Sequence, residues 1–109
     1  MVLPKKVQNA IEALLAPSGK IDSALRLAVF ERTRKGAGEI PAALRGLVEK
    51  LEARPWTVTD DDFTKLRQAG YSEDQIFELA SAAAAGAGVK RFEAGLRALD
   101  AAAGEGGGL

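Results

Sequence analysis

The stretch that decides the fold is Glu73–Asp100, EDQIFELASAAAAGAGVKRFEAGLRALD. From Ile76 to Val89 its only polar side chains are Glu78 and Ser81, and no proline interrupts it. A helix that is apolar on every side is normally buried on every side. The pattern therefore predicts one long helix, from Glu73 to about Ala103, at the centre of a helical bundle or of an oligomer.

Small residues are concentrated in the middle of this helix. A glycine inside a helix costs about 1 kcal/mol relative to alanine, so something should compensate for it. Close packing against another helix is the expected compensation, and a kink or break is the alternative. The candidate packing or oligomer face consists of Ala82, Ala84, Gly86 and Gly88.

The rest of the chain is predicted to form four shorter helices and no strand. Apolar residues recur at helical spacing, as in Leu44, Leu47, Val48 and Leu51. A second apolar face of Leu25, Ala28 and Val29 is widened by Leu27 and Phe30. Asp22 and Thr59 are predicted N-caps, and Ser72 with Gln75 is predicted to form a capping box. The predicted spans are about Pro4–Ala16, Ser23–Arg34, Pro41–Ala53 and Asp60–Ala69.

These patterns predict an all-α domain over residues 1–103, with about five helices. A break is expected at Pro17–Gly19, and Gly36 and Gly70 are expected to end helices. The glycine-rich residues 104–109 are predicted to form a flexible tail, because they offer too little apolar surface to order themselves.

Composition removes several kinds of chemistry. The 109 residues include no Cys and no His. Thiol peroxidases, thiol proteases, Cys/His zinc sites and Ser-His-Asp triads are therefore excluded. The acidic run Asp60–Asp62 is consecutive at a helix start, so its side chains fan apart by about 100° each. We predict that it stabilises the helix, and we predict no metal site and no cofactor.

Charge and hydropathy bear on partners and location. Fifteen basic and fifteen acidic residues cancel, which argues against a nucleic-acid partner. No stretch approaches the roughly 18 apolar residues of a membrane span, and no secretory signal is recognised, so a cytoplasmic protein is expected. Residues 1–54 carry ten basic and six acidic residues, whereas residues 55–109 carry five and nine. This asymmetry reflects either solvated helix faces or complementarity between halves or subunits.

Four residues form a candidate pocket. Glu31 and Glu78 are acids on otherwise apolar helix segments, where an unpaired buried carboxylate could act as an acid or base. Exposure at the surface, or pairing with a basic residue such as Arg26 or Arg91, is the alternative. Trp56 and Tyr71 lie next to turns, where they either cover the ends of the core or line a small pocket.

Two segments in the second half carry a resemblance to a known family. They are Trp56–Phe63 (WTVTDDDF) and Leu66–Leu79 (LRQAGYSEDQIFEL), and the earlier segment Ile21–Arg26 (IDSALR) adds to them. They resemble the carboxymuconolactone decarboxylase and alkylhydroperoxidase-D-like superfamily over roughly residues 19–99. The resemblance implies an all-α fold and assembly into dimers, trimers or hexamers.

The chain lacks the catalytic residues of that family. Family peroxidases use a Cys-x-x-Cys pair, a His on the same helix and often a Glu directly after the Arg, whereas this chain has Leu27 after Arg26. The decarboxylase branch also relies on residues, including His, that are absent. The resemblance therefore implies a non-catalytic relative, and no catalytic residue is predicted.

Three functions follow as hypotheses. The first is a non-catalytic helical assembly or binding protein that forms a homo-oligomer, with a protein partner or a small molecule as its possible ligand. The second is a carboxylate-dependent enzyme that uses Glu31 or Glu78. The third is a small-molecule carrier or sensor.

Overall fold

The computed structural model describes residues 3–15 and 22–105, with side chains for 3–12 and 22–104. Within these ranges the chain forms five α-helices and no strand, so the all-α prediction is confirmed. A single 3₁₀ turn, Pro55–Thr57, lies between the third and fourth helices. The helices are α1 (Lys5–Leu15), α2 (Ser23–Lys35), α3 (Ala42–Ala53), α4 (Asp60–Gln68) and α5 (Glu73–Glu105).

Side-chain caps set the beginnings of the helices where the sequence predicts them. The Asp22 carboxylate accepts a hydrogen bond from the Ala24 N–H at 3.1 Å, at the start of α2. At the start of α5, the Ser72 N–H donates to the Gln75 side chain at 2.9 Å, and the Gln75 N–H donates to the Ser72 hydroxyl at 3.2 Å. Each bond satisfies an N–H group that the first helical turn leaves without a partner.

Glycines with positive φ follow α2 and α4. Gly36 has φ 73° and donates its N–H to the Arg32 carbonyl at 2.9 Å, which closes α2. Gly70 has φ 102° and follows α4. Both angles lie in the region that other residues avoid, so the two predicted helix ends are confirmed. The predicted break at Pro17–Gly19 lies outside the described residues.

The long helix α5 is the axis of the molecule. Its 33 residues correspond to about 50 Å at 1.5 Å per residue, against a longest dimension of 58 Å. The most extensive packing on α5 comes from α2, followed by α3, while α1 and α4 touch it over short stretches. The helix continues through Gly104 and Glu105, two residues beyond its predicted end, and residues 106–109 lie outside the described part.

The core lies between α2, α3 and α5. The predicted α3 face is confirmed, because Leu44, Leu47 and Val48 are buried. The prediction for Leu27 is wrong: it is 46% exposed, because it lies on the opposite side of α2 from the fully buried Val29. The other buried apolar residues are Phe30, Ile40, Leu66, Ile76, Leu79, Ala82, Ala83, Ala87 and Val89.

Ion pairs join the helices at the edge of this core. Arg34 of α2 donates to both carboxylate oxygens of Glu93 on α5, at 3.0 and 3.3 Å. Lys50 of α3 contacts the Asp62 carboxylate of α4 at 2.9 Å. The Asp62 carboxylate also accepts the Thr59 N–H at 2.8 Å, which closes the start of α4. These ion pairs hold α2 against α5 and α3 against α4.

None of the helices in the described ranges combines the length and the apolar character that a membrane crossing requires.

Candidate interaction surface

The four small residues of α5 that were predicted to share one face lie on two different faces of the helix. Ala82 and Gly86 are buried, whereas Ala84 and Gly88 are exposed. Residues two positions apart on a helix point about 200° from each other, so the four cannot share one side. One pair packs inside the chain, and the other lies on its outer surface.

At Gly86 the α5 helix lies directly against α2. A Cβ atom at this position would overlap the Thr33 hydroxyl oxygen and the Phe30 carbonyl oxygen. Thr33 is fully buried there, and its hydroxyl donates to the same Phe30 carbonyl at 3.1 Å. Close packing is therefore the compensation for Gly86, as predicted, and α5 remains helical through it.

Gly88 has no such role toward the residues that the structure describes. A Cβ atom at this position would meet none of their atoms within 4 Å. The expectation that α5 is buried on every side is wrong for the single chain, because the other helices cover only one side of it. The outer side of the helix is open along its length.

A row of apolar and small residues runs along this open side. They recur at intervals of three, four or seven, which keeps them on one face of a helix. Three are large: Phe77 is 73% exposed, Phe92 41% and Leu99 68%. We call this face the α5 stripe, and it consists of Phe77, Ala84, Gly88, Phe92, Gly95 and Leu99, all of them exposed.

The C-terminal part of α5 extends beyond the body of the protein. Residues 97–104 are all exposed, which amounts to two helical turns without covering neighbours among the described residues. Leu99 lies in this projecting part. An isolated helix of this length gains little stability by itself, because helices in proteins are held mainly by packing of an apolar face.

Two apolar grooves border the stripe. The larger, of about 550 Å³, lies between α1 and α5 and reaches the stripe at Gly88 and Phe92. Its lining is apolar except for Lys6: Val7, Ala10, Ile11, Ala85 and Val89 complete it. The smaller, of about 270 Å³, lies between α4 and α5 and includes Phe77, Phe63 and Ile76. The open apolar surface therefore widens at the Phe77 end of the stripe and in its middle.

Charge is distributed unevenly along α5. From Glu73 to Val89 the helix has three acidic residues, Glu73, Asp74 and Glu78, and no basic one. From Lys90 to Arg97 it has three basic residues, Lys90, Arg91 and Arg97, and one acid, Glu93. The hydrogen bonds from Arg34 lower the pKa of Glu93 below its usual range, and the same contact raises the pKa of Arg34. Glu93 is thus held ionised and paired with Arg34, and Lys90 is likewise paired, with the Glu52 carboxylate of α3 at 3.1 Å.

The two candidate acids have separate surroundings. Glu31 is half-buried on α2, and its carboxylate lies 2.9 Å from the Lys35 ammonium and 3.9 Å from the Arg34 guanidinium. It is therefore paired with bases of its own helix instead of the predicted Arg26 or Arg91. Glu78 is half-buried near the start of α5.

The two candidate aromatic residues differ in how deeply they are buried. Trp56 is 79% exposed in the 3₁₀ turn, so the prediction that it covers the end of the core is wrong. Tyr71 is half-buried and packs against the core. Of the four predicted pocket residues, Glu31, Trp56, Tyr71 and Glu78, none lines either of the two apolar grooves.

In the described part of the chain, no group of three or more acidic side chains is arranged to hold a metal ion. Comparisons with protein-family models, curated proteins and solved structures found no match. The resemblance to the carboxymuconolactone decarboxylase and alkylhydroperoxidase-D-like superfamily therefore stays a prediction.

The α5 stripe is the feature that sequence reasoning missed. Its signal was present, because Phe77, Ala84, Gly88, Phe92 and Leu99 recur at helical spacing in the quoted segment. It was hidden because the residues on the other side of α5 are equally small and apolar. Only the position of α2 tells the two sides apart.

Proposed function

We propose that this chain is a non-catalytic helical assembly protein that associates with another protein surface through the α5 stripe. The observation that carries the proposal is the continuous exposure of the stripe from Phe77 to Leu99. These positions span about 33 Å of helix. A contiguous apolar surface of this extent is typical of an interaction site.

The energetics of burial support association. Covering a large apolar side chain stabilises a complex by about 1.5–3 kcal/mol before the entropic cost of association is subtracted. Phe77 and Leu99 retain more than two thirds of their exposure and would contribute most of this range. Phe92 is already partly covered and would contribute less.

The surroundings of Glu31 favour assembly over catalysis by this carboxylate. Glu31 is neutralised by Lys35 at 2.9 Å, so it lacks the unpaired burial that a proton-transferring carboxylate requires. The proposal is also what the resemblance to a peroxidase-like superfamily without its Cys and His residues implies.

Sedimentation velocity of the full chain, over a range of micromolar concentrations, tests the proposal. The wild type should sediment as an assembly, and Ala84→Glu should shift it toward the 11.4 kDa monomer by placing a charge on the stripe. Ala43→Glu is the matched control, because Ala43 is an exposed alanine on α3, away from the stripe. A wild type that sediments as a monomer at every concentration tested would contradict the proposal.

A second candidate function rests on the larger groove. Its apolar lining and its single cation, Lys6, fit a small molecule with an apolar body and an anionic group. Native mass spectrometry of the protein mixed with dodecanoate should then show a one-to-one complex. Lys6→Glu should weaken that complex, whereas Lys5→Glu, an exposed neighbour that does not line the groove, should leave it unchanged.

A further inference from the structure

We propose that the smaller groove, between α4 and α5, binds a free α-amino acid with a large apolar side chain, such as phenylalanine. This binding site is separate from the assembly proposed above and does not depend on it. The lining of the groove combines aromatic rings with both signs of charge, and it consists of Phe63, Arg67, Glu73, Ile76, Phe77 and Ala80.

The apolar part of the lining fits an aromatic side chain. Ile76 is buried, Phe63 is half-buried, and the exposed ring of Phe77 borders the groove on α5. Aromatic rings attract one another in offset or edge-to-face arrangements, in addition to the burial of their area. The volume of about 270 Å³ lies just below the roughly 300–1,000 Å³ of sites for drug-sized ligands, so it fits an occupant of the size of an amino acid.

The two charges of the lining are complementary to the two charges of an amino acid. Arg67 lies in α4 and Glu73 is the first residue of α5, and both side chains are exposed. A guanidinium can hold a carboxylate by two parallel hydrogen bonds, and a carboxylate can accept hydrogen bonds from an ammonium group. An α-amino acid has both groups on one carbon atom, so it can satisfy both charges while its side chain occupies the apolar part.

The contact between these two charges is weak enough for a ligand to replace it. The Arg67 Nε atom lies 3.6 Å from the Glu73 Oε1 atom, beyond the about 2.7–2.9 Å of a charge-assisted hydrogen bond. An exposed ion pair contributes little to stability. The Arg67 Nη1 atom donates to the neutral Thr64 hydroxyl at 3.3 Å. Neither of these contacts holds the guanidinium by two parallel bonds, as a carboxylate of the ligand would.

The presence of both charges also selects the class of ligand. A ligand with a carboxylate alone would be repelled by Glu73, and one with an ammonium group alone would be repelled by Arg67. The lining of the larger groove differs, because Lys6 is its only charged residue. The charges of the two grooves therefore favour an anion in the larger one and a zwitterion in the smaller one.

A titration with L-phenylalanine, followed by ¹⁵N NMR of the full chain, tests the proposal. The dissociation constant should be on the order of 1 mM, as expected for a ligand of this size. The shifted amide signals should centre on Phe63, Arg67 and Phe77. Two analogues lack one charge each: 3-phenylpropanoate has only the carboxylate, and 2-phenylethylammonium has only the ammonium group. Both should bind at least about fivefold more weakly than phenylalanine.

Variants that remove one charge should give a crossed pattern, which a purely structural effect would not produce. Arg67→Gln should weaken phenylalanine binding at least about fivefold and should not weaken the binding of 2-phenylethylammonium. Glu73→Gln should weaken phenylalanine binding to a similar extent and should not weaken that of 3-phenylpropanoate. Arg45→Gln is the matched control and should change neither, because Arg45 is an exposed arginine 3.9 Å from Glu39 that lines neither groove.

Three results would overturn the proposal. The first is the absence of shifts at Phe63 and Phe77 with L-phenylalanine at up to about 20 mM. The second is equal weakening of all three ligands by Arg67→Gln and by Glu73→Gln, which would show that the pair only shapes the turn between the helices. The third is a loss of affinity in Arg45→Gln as large as that in Arg67→Gln.

The same titration on Ala84→Glu separates this site from the proposed assembly, because Phe77 also belongs to the α5 stripe. Phenylalanine should bind this variant at least as tightly as the wild type, whether or not the wild type assembles. Binding that is lost in Ala84→Glu would depend on the assembly and would overturn the separate site. An assembly that fails in sedimentation, with phenylalanine still bound, would contradict only the proposed function.

Discussion

Gly86 and Gly88 lie two residues apart on α5, and their surroundings differ completely. Gly86 touches the α2 backbone so closely that no side chain fits, whereas the space around Gly88 is open. The buried side of α5 is specified by contacts inside the chain, and the exposed side has equally apolar residues without such contacts. The comparison shows that one helix can supply the core of the molecule on one side and leave an exposed apolar surface on the other.

The largest expected effect is the difference in stability between two variants, each of which loses one large side chain from one side of α5. Leu79→Ala removes a side chain that is 1% exposed, and it should lower the free energy of unfolding by about 2–5 kcal/mol. Phe77→Ala removes one that is 73% exposed, and at dilute, monomeric concentration it should change the same quantity by less than about 0.5 kcal/mol. Urea unfolding measures both. Equal losses would mean that the two sides are not distinct.

The next effect compares the two glycines. Gly86→Ala should destabilise the fold by about 1–3 kcal/mol, because the added methyl group overlaps the Thr33 hydroxyl and the Phe30 carbonyl. Gly88→Ala should stabilise the dilute monomer by about 0.5–1 kcal/mol, because alanine favours the helix and the space is open. Thermal unfolding followed by circular dichroism should therefore show shifts of opposite sign. Shifts of the same sign would contradict the assignment of the two faces.

A smaller effect is the decrease in the free energy of unfolding at low pH. Hydrogen bonds from Thr59 and Lys50 lower the pKa of Asp62 from its usual 3.8, and those from Arg34 lower the pKa of Glu93 from its usual 4.5. Both groups therefore stabilise the fold fully above their usual pKa values, and this stability is lost as the pH falls through the lowered values.

Urea unfolding should accordingly give a constant free energy between about pH 7 and pH 5.5, with a decrease below about pH 4.5. Asp62→Asn keeps an acceptor for the Thr59 N–H but loses the charge, so it should be less stable at pH 7 by about 1 kcal/mol and should lose less on acidification. A variant with the wild-type pH dependence would show that Asp62 does not contribute to this loss.

The smallest expected effect is that of salt on association. Two of the three bases of α5, Lys90 and Arg97, lie on the side of the helix opposite the α5 stripe, so about 1 M NaCl should weaken an assembly through the stripe by less than about twofold. Ammonium sulfate instead strengthens apolar burial and should tighten it. Sedimentation in the two salts measures the difference. An assembly that NaCl weakens more strongly than this would depend on charge pairing and not on the apolar stripe.

The helices could be predicted well from the sequence, because their boundaries depend on local chemistry. Asp22 and the Ser72–Gln75 pair cap helices by bonds within three residues, and Gly36 and Gly70 adopt conformations that glycine favours. None of these features requires knowledge of the rest of the fold.

The surfaces could not be predicted in the same way. Whether Leu27 is exposed depends on which side of α2 meets α5, and whether Trp56 is exposed depends on how its 3₁₀ turn packs against the helices. The four small residues of α5 form one pattern in the sequence, and only the docking of α2 divides Ala82 and Gly86 from Ala84 and Gly88. Long-range packing, which no local pattern encodes, decides each of these cases.

The contact at Gly86 also bears on how the chain folds. Thr33 and Gly86 lie about half the chain apart, so their contact closes a large loop and depends on α2 and α5 both being formed. We expect this contact to form after the transition state for folding. Gly86→Ala should then accelerate unfolding much more than it slows folding, so the contact governs how long the native state lasts.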